Sequence, residues 1–291
     1  MLRTVAIMAV RNERPYLRNC LGHLIDNGID FYIVDNESTD ATLDLLREPH
    51  IAEHLVGYER FPFEGAFDWE GLLRAREQAA RKVEADWVVF VSADEIMHSY
   101  RAGESLAAAI ARVDAEGDDV IDFNEYVFLP VDTDYVVDCS GWQPLRHYYF
   151  FEPKSPRLMR ARKQSLEVSH VAKGGHVLVG GPFKLSAESF ALRHYIVRSQ
   201  AHASRKYTER VFRREEIARG WHAERVDQPP GNFTLPAATE LERTDGREDR
   251  NLNRAHPRKR HYWQWRDSAA PSLGASGSAP SPGRSGRSGR R

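Results

Sequence analysis

Only two cysteines occur in the 291 residues, Cys20 and Cys139, and they stand far apart. They match no metal-ligand spacing and suggest no disulfide framework, so a reducing, cytoplasmic compartment is expected. An excess of charge of one sign is also missing. The chain carries 41 Lys and Arg against 42 Asp and Glu, a formal net charge of −1. No global field therefore marks nucleic acid or an anionic membrane as a partner. No apolar run approaches the roughly 20 residues that a transmembrane helix needs. The short apolar run at the N-terminus is followed by Arg11-Asn12-Glu13 and not by small residues of a cleavage site, which reads as a first strand and not a signal peptide. No G-x-G-x-x-G follows a predicted strand, which argues against a Rossmann methyltransferase. Hydrophobic residues make up 41%, somewhat below the usual globular share, partly because the C-terminal end is polar. The length suits one large domain or two small ones, without internal repeats.

What the chain does have is alternation of strand and helix patterns. Residues 4–10 are apolar and β-branched, as in a strand buried on both faces. Tyr16, Leu17, Cys20, Leu21, Leu24 and Ile25 recur at helical spacing until Asn27-Gly28 stops the run. Strands follow at 29–34, within 51–60 and at 87–91, with a short helix predicted over 41–47 and a longer one over 69–83. This order predicts an α/β domain with a parallel sheet and right-handed crossovers, whose ligands bind at the carboxyl ends of the strands. The polar clusters at 11–13, 35–40 and 92–95 each follow a predicted strand and should converge on one edge. In the second half a helix is predicted over 103–113 and strands over 120–131, 147–151 and 157–162. Turns are expected at Gly174-Gly175-His176 and Gly180-Gly181-Pro182, and a long helical stretch over 199–219. Beyond about residue 227 the pattern loses its period. Residues 267–291 consist mostly of Ser, Gly, Pro, Ala and Arg and are expected to be a disordered tail. Its basic end, residues 284–291, reads as a solvated cationic terminus.

Two polar clusters carry chemistry. Asp35-Asn36-Glu37-Ser38-Thr39-Asp40 can pair with the imide edge of a base and with ribose hydroxyls, although helix capping explains the same residue types. Ser92-Ala93-Asp94-Glu95 ends an apolar strand, where a carboxylate can hold Mg²⁺ or Mn²⁺ against diphosphate oxygens. A solvated acidic turn is the alternative.

Taken in order, Val10-Arg11-Asn12-Glu13, then Asp35 to Thr42, then Ser92-Ala93-Asp94-Glu95 resemble family 2 glycosyltransferases. The similarity is greatest to the bacterial subgroup with V-[KR]-N-E, D-N-x-S-T-D-x-T and D-x-D-E motifs. A later stretch, Leu192-Arg193-His194-Tyr195-Ile196-Val197-Arg198-Ser199 with Lys206 beyond it, resembles that subgroup's H-[YF]-x-x-R-S…K segment. The resemblance implies a Rossmann-like GT-A nucleotide-binding sheet with a mixed acceptor-side region. Residues 1–97 would form the nucleotide-sugar half and 98–225 the acceptor half of one domain, with 226–266 an irregular extension. It implies transfer of a sugar, with inversion, from a nucleoside diphosphate sugar, most simply a UDP-sugar, to a hydroxyl of a glycan, a lipid-linked or a small-molecule acceptor. Arg11, Asn12, Glu13, Asp35, Asn36, Ser38, Asp40, Ser92, Arg198 and Lys206 would hold the donor. Asp94 would bind the divalent metal, with a C-terminal histidine, His194 in preference to His176. Two departures stand out: Ser92 replaces the first Asp of the acidic motif, and Asn36 replaces an Asp found in many members.

The proton acceptor should come from the second half. Glu125 is the candidate, with Asp122, Glu152 and Glu188 as rivals. The aromatic group Trp142, His147, Tyr148, Tyr149, Phe150 and Phe151 can line an acceptor groove or simply fill the core. Two other readings were weighed. A sugar-nucleotide nucleotidyltransferase would need a glycine-rich loop after the first strand, and Val10-Arg11-Asn12-Glu13-Arg14 has no glycine. A non-catalytic nucleotide-sugar-binding protein is kept open by Ser92.

Overall fold

The computed structural model describes residues 2–131, 145–226, 228–246 and 248–265. Cys139, Trp142 and the tail at 267–291 lie outside the described residues.

The first half alternates as the pattern predicts: β1 Thr4–Val10, α1 Arg14–Asp26, β2 Asp30–Asp35, α2 Pro49–Ala52, β3 Leu55–Arg60, α3 Trp69–Lys82 and β4 Trp87–Val91. Then follow β5 Glu95–His98, α4 Leu106–Ala115, β6 Val120–Leu129, β7 His147–Phe151, β8 Met159–Lys163, β9 Val168–Ser169, β10 Val179–Gly180, β11 Phe190–His194, α5 Gln200–Thr208, α6 Arg214–Ala218 and β12 Glu242–Arg243. The helix starts are chemically marked. Asp68 caps α3 by accepting from the Gly71 amide at 2.8 Å, and Ser105 caps α4 through the Ala108 amide at 3.2 Å. Asn27, at the end of α1, accepts from the Leu106 amide at 2.9 Å and so ties α1 to the start of α4.

Ten strands form one mixed sheet in the order β12-β7-β6-β8-β4-β1-β2-β3, with β11 joined to both β5 and β6. β4, β1, β2 and β3 run parallel, and β8 inserts antiparallel between β4 and β6. β6 pairs with β8 over its first residues and with β7 over Glu125–Leu129. This is the Rossmann-like GT-A arrangement, an α/β fold with a parallel first half and a mixed second half.

Alternation along β1 divides the core. Ala6, Met8 and Val10 join Leu17, Leu21 and Leu24 of α1 and Ile110 of α4 on one face. Val5 and Ile7 join Ala75 and Ala79 of α3 on the other. A strand buried on both faces needs an uninterrupted apolar run, which is what residues 4–10 supply. Each fully buried leucine contributes about 1.5–3 kcal/mol.

Two expectations change and one alternative is decided. The helix over 41–47 reduces to a single 3₁₀ turn, Leu45–Arg47, because Thr42 is drawn to Asp40 and Glu13 instead of into a helix. The long helix over 199–219 is two helices. Between them the chain extends so that the Val211 carbonyl accepts from the Phe67 amide at 2.8 Å, and Phe67 bridges to Phe212. The aromatic run of β7 is core and not groove: His147, Tyr148, Tyr149, Phe150 and Phe151 are all buried. The extension after residue 226 is irregular, as its sequence suggests, yet anchored. Phe233 is fully buried and stacks on Tyr207, and Trp263 packs beside both.

Among the described residues no helix is long and apolar enough to cross a membrane.

Candidate active site

The carboxyl ends of β1, β2 and β4 open onto a cavity of about 600 Å³. Arg11, Asn12, Glu13, Asn36, Ser92 and Asp94 line it, as the strand ends predicted, together with Arg198, which precedes α5, and Lys206 of α5.

The first two motifs hold each other. Asn12, in the left-handed backbone region at φ 55°, donates its amide to Ser38 Oγ at 3.0 Å and accepts from the Thr39 amide at 2.7 Å. The Glu13 amide donates to Thr42 Oγ1 at 2.9 Å. Arg11 reaches the carbonyls of Asn36 and Glu37 and lies 3.4 Å above the Phe63 ring centroid. Asparagine tolerates this backbone better than most residues. Asp35, Ser38 and Asp40 do not face the cavity. Asp35 accepts from the Ser38 amide, Ser38 from the Asn12 amide and Asp40 from the Thr42 amide, so these three brace the loop and cap no helix. Asn36 does face it. Its amide group donates to the carbonyls of Phe61 at 3.1 Å and Pro62 at 3.0 Å, which fixes the orientation of the side chain. Its Oδ1 is buried without a hydrogen-bond partner.

Asp94 lies just past β4. The turn is held by Glu95, which accepts from the Ser92 amide at 2.8 Å and pairs with Arg160 at 3.3 Å. Asp94 Oδ2 meets Lys206 Nζ at 3.2 Å and His194 Nε2 at 3.5 Å. Burial would raise its pKa, but Lys206 and His194 outweigh burial and hold the carboxyl well below its ordinary range. His194 donates from Nδ1 to Glu125 Oε1 at 2.6 Å. Burial disfavours its charge, yet Asp94 and Glu125 together raise its pKa to about 10. His194 thus bridges the two carboxylates Asp94 and Glu125. His176 lines the cavity but bonds the Lys173 carbonyl, and burial with Arg157 and Arg160 nearby pushes its pKa down to about 3. Among the described residues no three His, Cys, Asp or Glu groups assemble as a metal cage.

Glu125 stands on β6 beside His194, with Arg157 on its other oxygen. Burial would raise its pKa, but Arg157 and His194 outweigh it and hold the carboxyl well below the usual range. Its rivals are absent from the cavity wall. Asp122 accepts from the Arg157 and Leu158 amides, Glu152 pairs with Lys259 and Glu188 with Arg112. Glu13 is half-buried in the wall. Burial, with Asp94 close by, raises its pKa to about 7 against the pull of Lys206, Arg210 and Arg198.

Several wall residues carry no motif signal: Phe63, Arg157, Arg210, Arg225, His261 and Trp263. They come from loops and from the extension, where no period marks a facing side chain. Gly174-Gly175 was a visible signal. A Cβ on Gly175, at φ +84°, would meet Leu73 at 2.9 Å and Trp69 at 3.0 Å, and the Gly174 carbonyl accepts from Trp69 Nε1 at 3.0 Å.

No curated protein matches the chain. Among solved structures, Staphylococcus aureus TarS residues 1–349 in complex with UDP is 14% identical, over 80% of this chain and 68% of that one, with a TM-score of 0.43. The same protein with UDP-GlcNAc aligns at 21% identity and a TM-score of 0.34, and there the alignment spans 45% of this chain but only 37% of TarS 1–349. A mannosyltransferase from Pyrobaculum calidifontis, in complex with GDP-Man and Mn²⁺, is 20% identical over 41% of this chain and 34% of its own, at a TM-score of 0.31. The sequence profile described as Glycosyl transferase family 2 matches residues 5–175, more than half of the chain and all three strand-end motifs of the cavity, so this chain belongs to glycosyltransferase family 2.

Proposed function

We propose that the protein transfers a sugar, with inversion, from a uridine diphosphate sugar to an acceptor hydroxyl. The observation that carries the nucleotide assignment is the Asn36 amide. Both its N–H groups are committed to carbonyls, and its Oδ1 is a buried acceptor on the cavity wall waiting for a donor. An imide N–H, such as N3–H of uracil, satisfies it, and leaving it unpaired costs about 1–3 kcal/mol. Phe63, with Arg11 over its ring, lines the same cavity.

Arg198, just before α5, and Lys206 within it line the same space and are proposed to take the diphosphate. A divalent cation, Mg²⁺ or Mn²⁺, fits at Asp94, because such ions bind through one or two carboxylates and complete their shell with phosphate oxygens and water. When bound it would offset negative charge on the departing diphosphate. The chain's own residues do the remaining work. Lys206 and His194 orient Asp94, and Glu95 with Arg160 fixes the turn that carries it. Glu125 is the carboxylate on the acceptor side and is proposed to take the hydroxyl proton. It gains the necessary basicity when an acceptor draws Arg157 away from it.

The test is calorimetric titration with UDP, GDP and CDP in the presence of Mn²⁺, followed by turnover of the donor that binds. UDP binding that falls on Asn36→Ala is the expected result. Equal affinity for all three nucleotides, or none for any, sinks the reading.

A further inference from the structure

Among the described residues eight Lys and Arg side chains line the cavity against five carboxylates. Three cations are paired across the wall, Arg157 with Glu125, Arg160 with Glu95 and Lys206 with Asp94, and Arg11 is held by backbone carbonyls. Four guanidinium groups remain: Arg198, Arg205, Arg210 and Arg225. The two carboxylates left over, Glu13 and Glu209, do not balance them. A donor diphosphate brings about two negative charges, and a divalent cation at Asp94 would offset those. The wall is then still too positive for a neutral acceptor.

Arg225 is the member whose position differs. Its guanidinium lies 5.5 Å from the ring centroids of both Tyr207 and Trp263. Trp263 stacks on His261, His261 on Phe151, and Arg157 sits 4.7 Å over Phe151, next to Glu125. Arg225 thus belongs to the acceptor wall and not to the end formed by β1 and β4. Its Nε is shielded from solvent and makes no hydrogen bond. The carboxylate beside it, Glu224, is 3.6 Å away and 37% exposed, a weak partner. A charged fork held between aromatic rings with an unmet donor is a site for a planar or tetrahedral oxyanion.

We propose that the acceptor carries an anionic group, a phosphate or a carboxylate, close to the hydroxyl that receives the sugar, and that Arg225 binds it. The inference rests on the transferase reading above and deepens it. Such a group would also compete for Arg157 and so free Glu125 for proton removal.

The experiment uses the full chain saturated with UDP and Mn²⁺, so that the diphosphate positions are filled. It is titrated calorimetrically with sn-glycerol 3-phosphate, glucuronate, glycerol and glucose. Saturable binding of one or both anions, without binding of the neutral compounds, is the expected result, and the stronger anion distinguishes phosphate from carboxylate. Arg225→Gln should weaken that binding by about tenfold or more while UDP affinity stays within about twofold. Should Arg225→Gln fail to fold, Arg225→Lys, which keeps the charge and loses the fork, serves for the same comparison. Absence of anion binding to the UDP-loaded protein, anion binding indifferent to the substitution, or an equal loss of UDP affinity would each overturn the inference alone. If UDP itself does not bind, the transferase reading falls and takes this one with it.

Discussion

At the scale of the residue, the cavity turns on how few groups touch it. Asp94 terminates a buried strand and attracts both Lys206 and His194, so its charge serves the cavity and not the core. Asp94→Asn keeps the size and removes the charge that draws a divalent ion. Turnover should fall by at least about a hundredfold, roughly 2.7 kcal/mol of barrier, with the fold retained. Rigorous chelation of the unsubstituted enzyme should produce a similar loss, reversed by Mn²⁺. Full activity after chelation would remove the metal from the reading and leave Lys206 and the arginines to neutralise the diphosphate. For the nucleotide, the residue to change is Asn36 and not Asp35, since Asp35 spends its oxygens on the Ser38 amide. Asn36→Ala should weaken UDP binding by about 1–3 kcal/mol, and unchanged affinity in calorimetry would show that the base lies elsewhere.

Between elements, the wall is held by buried ion pairs that the helical and strand patterns cannot announce. Glu77 of α3 bonds Arg162 of β8 at 2.9 Å and the His170 ring at 2.9 Å, all three buried. Burial opposes its charge, but His170 and Arg162 win and bring its pKa down from 4.5 to about 2. Because the folded value is depressed, this contribution is present above pH 4.5 and is lost as the pH falls from 4.5 towards 2. Glu77→Gln should cost about 3 kcal/mol at neutral pH, the usual result of stranding a buried cation. Urea titrations at pH 7 and pH 3 should also show a smaller difference between the two pH values in the variant. An undiminished pH dependence would mean that Glu77 is not the group that titrates.

Taken as a whole molecule, the domain does not end where its helical pattern does. Phe233, Tyr262 and Trp263 are buried from beyond residue 226, and His261 and Trp263 form part of the cavity wall. A chain cut after Arg225 should lose about 2 kcal/mol for each of these aromatics. That corresponds to a fall of roughly 10 °C or more in melting temperature. A chain cut after Arg266 removes a segment with almost no apolar content and should keep both its melting temperature and its turnover. Scanning calorimetry of the two truncations separates the cases, and equal stability would show that the extension is only appended.

By itself the sequence determined the nucleotide half. Apolar runs of strand length, a helical face closed by Asn27-Gly28 and the polar clusters after β1, β2 and β4 are local signals, because one strand's side chains are read from its own residues. The same locality made Asp94 and Asn36 recognisable. Only the tertiary structure decided which members of a motif face the ligand. Asp35, Ser38 and Asp40 look no different in sequence from Asn36, but their oxygens are taken up by backbone amides of the first two loops. It also decided that His194 is a charged bridge between Asp94 and Glu125, since that depends on β11 lying beside β6, a pairing of residues 69 apart. The acceptor wall was the least legible part. Arg157, Arg225, His261 and Trp263 come from loops and 3₁₀ turns without a period, and they meet because the chain folds back over α5, bringing long-range contacts that no local pattern encodes.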